Sequence, residues 1–177
     1  MSKKGGPALV HVITGPGKGK TTAAFGMALR ALGQGFRVCI VQFMKTGEVT
    51  GEVLASKRLP GLTVKQFGTG NFMDSKNWTD ADRSCAMDAL RFARKELESG
   101  DCDVLVLDEV NPAVYFGLLD ADDVLSLIDS KKGGVEIVLT GRNAPKEFIG
   151  RADYVSLIEE VKHPYKTGTV ARKGIEW

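Results

Sequence analysis

The chain has 177 residues, 43% of them hydrophobic, and its 24 basic and 22 acidic residues leave a formal net charge of +2. This nearly neutral balance argues against a nucleic-acid-binding protein, which usually carries a strongly basic face. No segment approaches the ~20 apolar residues that cross a bilayer, and the first residues lack the apolar core of a signal peptide. We therefore expect a cytoplasmic protein without a membrane or nucleic-acid partner, folded as one domain over residues 1–177.

The cysteines and histidines do not form a recognisable pattern. Cys39, Cys85 and Cys102 are far apart and odd in number, and His11 and His163 are the two histidines. This spacing fits neither a disulfide framework nor a zinc site. A reducing compartment agrees with it.

Apolar runs alternate with helical patterns along the first half of the chain. The β-branched residues of 8–14, ALVHVIT, predict a buried strand, and the apolar spacing in 21–35 predicts a helix. Residues 37–43 and 62–67 predict two more strands. Residues 79–100 predict a helix with Thr79 as its N-cap and Asp80 and Asp82 in its first turn.

The second half continues the alternation. The run VLVLDE within residues 103–109 predicts a buried strand, residues 120–134 a helix, and residues 135–142 and 153–161 two strands. Continuous apolar strands separated by helices are typical of an α/β fold, a mostly parallel sheet with helices on both faces. The glycine-containing, polar stretches at 44–61 and 68–78 predict ligand-binding loops.

A glycine-rich stretch, TGPGKGKT at residues 14–21, lies between the first strand and the first helix. Gly19, Lys20 and Thr21 are in register with the phosphate-loop pattern, although Thr14 replaces its first glycine. We expect Gly15, Gly17 and Gly19 to let backbone N–H groups of the loop point inward, Lys20 to neutralise phosphate and Thr21 to ligate a divalent cation. The predicted nucleotide-binding residues are Thr14, Gly15, Pro16, Gly17, Lys18, Gly19, Lys20, Thr21 and Thr22. The expected fold is thus that of the P-loop, RecA-like NTPases.

A second acidic element supports nucleotide binding. Asp108 or Glu109, at the end of a buried strand, would hold the cation opposite Thr21. Arg142, after the strand at 135–142, lies within reach of phosphate, although an exposed structural arginine is an equal alternative. These features predict ATP or GTP with a divalent ion, and the N-K-x-D loop that often accompanies guanine recognition is absent.

A narrower resemblance runs along nearly the whole chain. The run TGPGKGKTTAAFGMALRALGQG resembles the P-loop ATP:corrinoid adenosyltransferases, whose loop begins with threonine. Further matches follow in the same order, at VQFMK (41–45), GTG (68–70), VLDEV (106–110), LTGR (139–142), ADYVS (152–156), VKHPY (161–165) and ARKGIEW (171–177).

The resemblance implies a reaction. The Co(I) of a reduced corrinoid attacks C5′ of ATP and expels triphosphate, with the nucleotide held in the reverse of the usual P-loop polarity. Mg²⁺ or Mn²⁺ is the expected cofactor, with Thr21 and the acidic residues Asp108 and Glu109 as its candidate ligands. Lys20, Glu109 and Arg142 are the implied catalytic residues. A homodimer and an electron-donating reductase are the implied partners, with complete cobalamin or a biosynthetic precursor as substrate.

The sequence departs from that family at two places. Relatives can carry a long N-terminal helix over the active site, whereas the first strand here begins near residue 8, so another segment closes the site or closure is weaker. Relatives also place two aromatic residues against the lower corrinoid face, where this chain has Phe72, with Trp78 as a more distant substitute. The alternatives to a transferase are a P-loop ATPase and a non-catalytic ATP-binding regulator.

Overall fold

The computed structural model describes residues 7–47, 50–70, 78–131, 134–164 and 168–176. Its strands are β1 (Val10–Thr14), β2 (Val38–Phe43), β3 (Leu62–Phe67), β4 (Val104–Asp108), β5 (Glu136–Thr140) and β6 (Tyr154–Leu157). Its helices are α1 (Lys20–Gly33), α2 (Gly51–Ser56), α3 (Asp80–Ser99), α4 (Val110–Tyr115), α5 (Ala121–Asp129) and α6 (Lys146–Arg151).

The strands form one parallel sheet in the order β3-β2-β4-β5-β1-β6. Parallel strands need helical crossovers, and the alternating pattern of the sequence supplies them. The predicted α/β class with a parallel sheet is therefore confirmed. Because parallel strands end at the same edge, Thr14, Asp108 and Thr140 lie side by side at the ends of the neighbouring β1, β4 and β5.

Each face of the sheet buries its own apolar cluster, because successive side chains of a strand point to opposite faces. Val104 and Val106 of β4 join the cluster beneath α1, whereas Leu105 and Leu107 join the cluster beneath α3, α4, α5 and α6. The central strands are buried on both faces, which is why they have continuous apolar sequences.

Several boundaries differ from the sequence prediction. The strand predicted over 153–161 covers only Tyr154–Leu157, because Ile158 leaves the sheet to bond the glycine loop. Helix α5 ends at Asp129 rather than at the glycines near 134. The helices α2, α4 and α6 were not predicted, since six residues are too short to show a helical period.

Helix α3 begins as expected. The Thr79 side chain accepts a hydrogen bond from the Asp82 N–H, and the Asp82 carboxylate accepts one from the Thr79 N–H, which forms a capping box. Cys39 lies in β2, Cys85 in α3 and Cys102 before β4, and all three are free thiols.

Gly141 allows α4 to approach the end of β5. Its φ is +126°, and a Cβ atom there would overlap Pro112 Cδ. Gly141→Ala should therefore lower the free energy of unfolding by about 3 kcal/mol through strain and overpacking. Gly150→Ala in α6 is the matched control, since a Cβ there meets open space. Urea denaturation measures both, and equal effects would contradict this packing.

Candidate nucleotide site

The phosphate loop spans residues 14–19, between β1 and α1. Gly15 and Gly19 have φ values of +109° and +119°, which L side chains rarely adopt. Helix α1 starts without a side-chain cap and without an acidic residue in its first turn. Its first N–H groups and its positive end are consequently available to an anion.

The residues after β6 form the back wall of this loop. The Gly17 N–H donates to the Ile158 carbonyl at 2.8 Å, and the Ile158 N–H donates to the Thr14 carbonyl at 2.8 Å. In this structure the Gly17 N–H is therefore bonded to the chain and does not point into the loop. Gly17 instead permits close approach of two chain segments, because a Cβ there would overlap the Glu159 carbonyl oxygen.

Two cationic side chains bond carbonyls of the loop. Lys20 is buried, and its Nζ donates to the Gly17 carbonyl at 2.7 Å. Arg142 donates to the Pro16 carbonyl at 3.2 Å, so this arginine reaches the loop. Burial and the nearby Arg142 charge lower the pKa of Lys20. The loop thus holds concentrated positive charge that phosphate oxygens would neutralise.

The Asp108 carboxylate is completely buried and accepts hydrogen bonds from several strand ends. Its Oδ1 accepts from Thr21 Oγ1 at 2.9 Å and from Thr140 Oγ1 at 2.6 Å. Its Oδ2 accepts from Lys45 Nζ at 2.8 Å and from Gln42 Nε2 at 2.9 Å. Burial opposes ionisation, but the Lys45 ammonium and these hydrogen bonds hold the pKa of Asp108 below its usual value.

Glu109 follows Asp108 in a left-handed conformation, with a φ of +65°. Its N–H donates to Thr140 Oγ1 at 3.1 Å, so the strand ends here and α4 begins. Burial and then the neighbouring Asp108 charge raise the pKa of Glu109. A strained, desolvated carboxylate beside a phosphate loop is typical of a functional site.

Lys45, like Gln42 and Thr140, is a site residue to which the sequence analysis gave no role. It lies just beyond β2, after Met44 with its φ of +56°, and its Nζ also donates to Thr21 Oγ1 at 3.4 Å. Since β2 neighbours β4 in the sheet, the lysine of VQFMK reaches the acidic end of β4. Its position after a central parallel strand was the signal that could have found it.

The C-terminal segment lies against the start of α1. Gly174, Ile175 and Glu176 share a cavity of about 300 Å³ with Thr21, Thr22, Phe25, Lys45, Gly51 and Glu52. Lys18 Nζ donates to the Glu176 carboxylate at 3.0 Å, and hydrogen bonds from Arg172 and Lys18 lower the pKa of Glu176 to about 2. Lys18 therefore binds the C-terminal segment in this structure.

The two predicted corrinoid contacts have different outcomes. Phe72 lies outside the described residues. Trp78 packs against the core, and its ring is tilted against that of Phe116, with ring centroids 5.4 Å apart. It also borders a small cavity of about 10 Å³ beside Met44 and Phe67. In this structure Trp78 makes packing contacts.

The oxygens at the ends of α1 and β4 suit a hard divalent cation. Thr21 Oγ1 and the Asp108 carboxylate lie 2.9 Å apart, and a cationic group, the Lys45 ammonium, already contacts both. In the described part of the chain, no group of three or more His, Cys, Asp or Glu side chains is arranged so that it could hold a metal ion. Phosphate oxygens and water would have to complete the coordination, as is usual for Mg²⁺.

This fold and site define a P-loop nucleotide-binding protein. The family model described as ATP:corrinoid adenosyltransferase BtuR/CobO/CobP matches residues 7–177. A corrinoid adenosyltransferase of Pseudomonas aeruginosa is 38% identical over 173 residues, which cover 97% of this chain and 84% of that protein. Corrinoid adenosyltransferase CobA of Salmonella typhimurium is 34% identical over 169 residues, 96% of this chain and 85% of that protein.

The chain therefore belongs to the ATP:corrinoid adenosyltransferase family. It transfers the adenosyl group of ATP to a corrinoid. The described residues contain no helix of the length and apolarity needed to span a membrane.

Thr140 connects the two acidic residues of the site and is completely buried. Thr140→Val should lower the free energy of unfolding by about 1–3 kcal/mol, because the Glu109 N–H loses its acceptor and Asp108 loses a donor. Thr63→Val, at an exposed position in β3, is the matched control and should change it by less than about 0.5 kcal/mol. Equal changes in urea denaturation would contradict the role assigned to this hydroxyl.

Proposed function

We propose that the triphosphate of ATP binds over the loop and the first turn of α1, residues 14–22. The observation that carries this proposal is the contact of Thr21 with the buried Asp108, beside an uncapped helix start. Lys20 and Arg142 supply the positive charge, and both now bond carbonyls that an incoming anion would replace as partners. A triphosphate needs such a concentration of donors because its negative charge grows as it leaves.

Thr21 and Asp108 are proposed to hold Mg²⁺, or Mn²⁺ in its place, with Glu109 as a further carboxylate ligand. When bound, the cation supplies charge neutralisation to the phosphate oxygens. Glu109 lies close enough to Lys20, Arg142 and Asp108 for their charges to affect its pKa, which supports its place at this edge of the site.

In the proposed chemistry the protein forms no covalent bond with the substrates. Co(I) donates its electron pair to C5′, the Co–C bond forms, and the C5′–O bond breaks with its electrons going to triphosphate. No nucleophilic side chain is required, which agrees with the burial that raises the pKa of Cys39 and of Cys102, the latter to about 11. The residues of the loop position the nucleotide and stabilise the leaving group.

The lower corrinoid face is assigned to Phe72, with Trp78 as the second aromatic. Displacement of the lower cobalt ligand would give a four-coordinate Co(II) that is easier to reduce. The contact of Trp78 with Phe116 is the alternative, a packing role for this side chain.

The finer properties are proposed by resemblance to the family. We propose one domain over residues 1–177, cob(I)yrinic acid a,c-diamide and cob(I)alamin as substrates, a reductase as electron donor, and a cytoplasmic homodimer. Strand β6 supports the homodimer, because this sheet edge exposes Tyr154, Val155 and Leu157.

Lys20→Ala and Thr21→Ala test the site. Each should lower adenosylation at least about 100-fold, because phosphate charge or its cation loses a partner. The wild type should release triphosphate from ATP and reduced corrinoid, measured by ³¹P NMR and by the visible spectrum of the corrinoid. Lys95→Ala, at an exposed position in α3, is the control. Phosphate and ADP would indicate an ATPase, no turnover would indicate a regulator, and near-normal folded variants would contradict the assigned roles.

Phe72→Ala tests the corrinoid contact. With Co(II) cobalamin and a mild reductant, turnover should fall by about 100-fold, since the aromatic side chain no longer stabilises the four-coordinate state. With Co(I) supplied ready-made the loss should be much smaller. Trp78→Ala should show the same pattern if Trp78 is the second aromatic. Equal losses in both assays, or no loss in either, would contradict the role of Phe72.

A further inference from the structure

Lys45 occupies the position in which a divalent cation would bind. Its ammonium lies 2.8 Å from Asp108 Oδ2 and 3.4 Å from Thr21 Oγ1, between the two oxygens proposed as ligands. Asp108 has no exposed surface, while the Lys45 side chain is 28% exposed. The ammonium therefore compensates a buried negative charge from the open side of the site.

The backbone fixes Lys45 in this place. Met44 has a left-handed conformation directly after β2, and Gly68 at the end of neighbouring β3 packs on the Met44–Lys45 peptide. A Cβ at Gly68 would lie 2.7 Å from the Met44 carbonyl carbon and 2.8 Å from the Lys45 nitrogen. The Lys45 side chain can adopt other rotamers, but its Cα atom stays beside the site.

Lys45 and a divalent cation cannot both occupy this position. Mg²⁺ binds oxygen at about 2.1 Å, so a cation on Thr21 and Asp108 would lie within a few ångströms of the ammonium. Two positive charges at that separation repel strongly. Arrival of the metal must therefore displace the lysine head group.

We propose that Lys45 holds the place of the divalent cation in the nucleotide-free protein and moves to a triphosphate oxygen when metal-bound nucleotide arrives. This makes Lys45 a triphosphate-binding residue, and the inference rests on the proposed cation position. The side chain already borders the cavity at the start of α1, beside Thr21 and Thr22, so a small rotation of its flexible stem suffices. Glu52 borders the same cavity and is the competing destination.

The exchange suits the reaction. Before the nucleotide binds, the ammonium neutralises Asp108. After the nucleotide binds, the ammonium neutralises the leaving triphosphate, so the site contains neither an unpaired carboxylate nor an uncompensated phosphate. Lys20 and Arg142 bind the loop side of the triphosphate, and Lys45 would contact the opposite side, next to the metal.

Lys45→Met separates the two roles. Without nucleotide, Mn²⁺ binding should become roughly tenfold tighter, because a competing cation is removed; the EPR signal of free Mn²⁺ measures this. Binding of inorganic triphosphate with Mg²⁺ should become roughly tenfold weaker by calorimetry, because a charged donor is lost. Lys65→Met, at an exposed position in β3, is the charge-matched control and should behave as the wild type.

Lys45→Gln keeps a hydrogen-bond donor for Asp108 without the charge, and it serves as the second variant if Lys45→Met does not fold. Tighter metal binding together with weaker triphosphate binding supports the exchange. Unchanged triphosphate binding would indicate that the displaced Lys45 pairs with Glu52 and not with triphosphate. Weaker metal binding would indicate that Lys45 only stabilises Asp108 structurally. Either result overturns the proposal. Failure of the wild type to release triphosphate would instead contradict the proposed function.

Discussion

The buried carboxylate of Asp108 is the interaction on which this site depends. A charge without solvent is costly unless donors surround it, and here the donors come from the ends of β2 and β5, from the start of α1 and from Lys45. Gln66 of β3 extends the network by donating to Gln42 at 2.9 Å. The carboxylate thereby fixes the strand ends relative to the phosphate loop.

Residues with positive φ values lie around the same edge of the sheet. Met44, Glu109 and Asn143, which follow β2, β4 and β5, all have positive φ values. The chain thus leaves the regular strand conformation after each of these three strands. The opposite wall is formed by residues after β6, where the Ile158 carbonyl accepts a hydrogen bond from the Gly17 N–H. In the proposed reaction the corrinoid must reach C5′ of the nucleotide at this edge.

Local sequence patterns were sufficient for much of this fold. Continuous apolar runs identified β2 and β4 because those strands are buried on both faces, and Thr79 with Asp82 marked the start of α3. The register of Gly19, Lys20 and Thr21 also placed the phosphate loop correctly between β1 and α1.

Other features depend on contacts distant in sequence. The bond of Gly17 to Ile158 spans most of the chain, and the ion pair of Lys18 with Glu176 joins the loop to the C-terminal segment. Neither has a local signature. Lys45 was missed because its role arises only when β2 lies beside β4, and short helices such as α4 show no period.

Anomalous diffraction from crystals grown with Mn²⁺ and a non-reactive ATP analogue tests the central claim most directly, that Asp108 is the fixed point for metal and triphosphate. We predict an anomalous peak between Thr21 Oγ1 and the Asp108 carboxylate, with the triphosphate over residues 14–22. A peak elsewhere, with Lys45 still bonded to Asp108, would contradict the account.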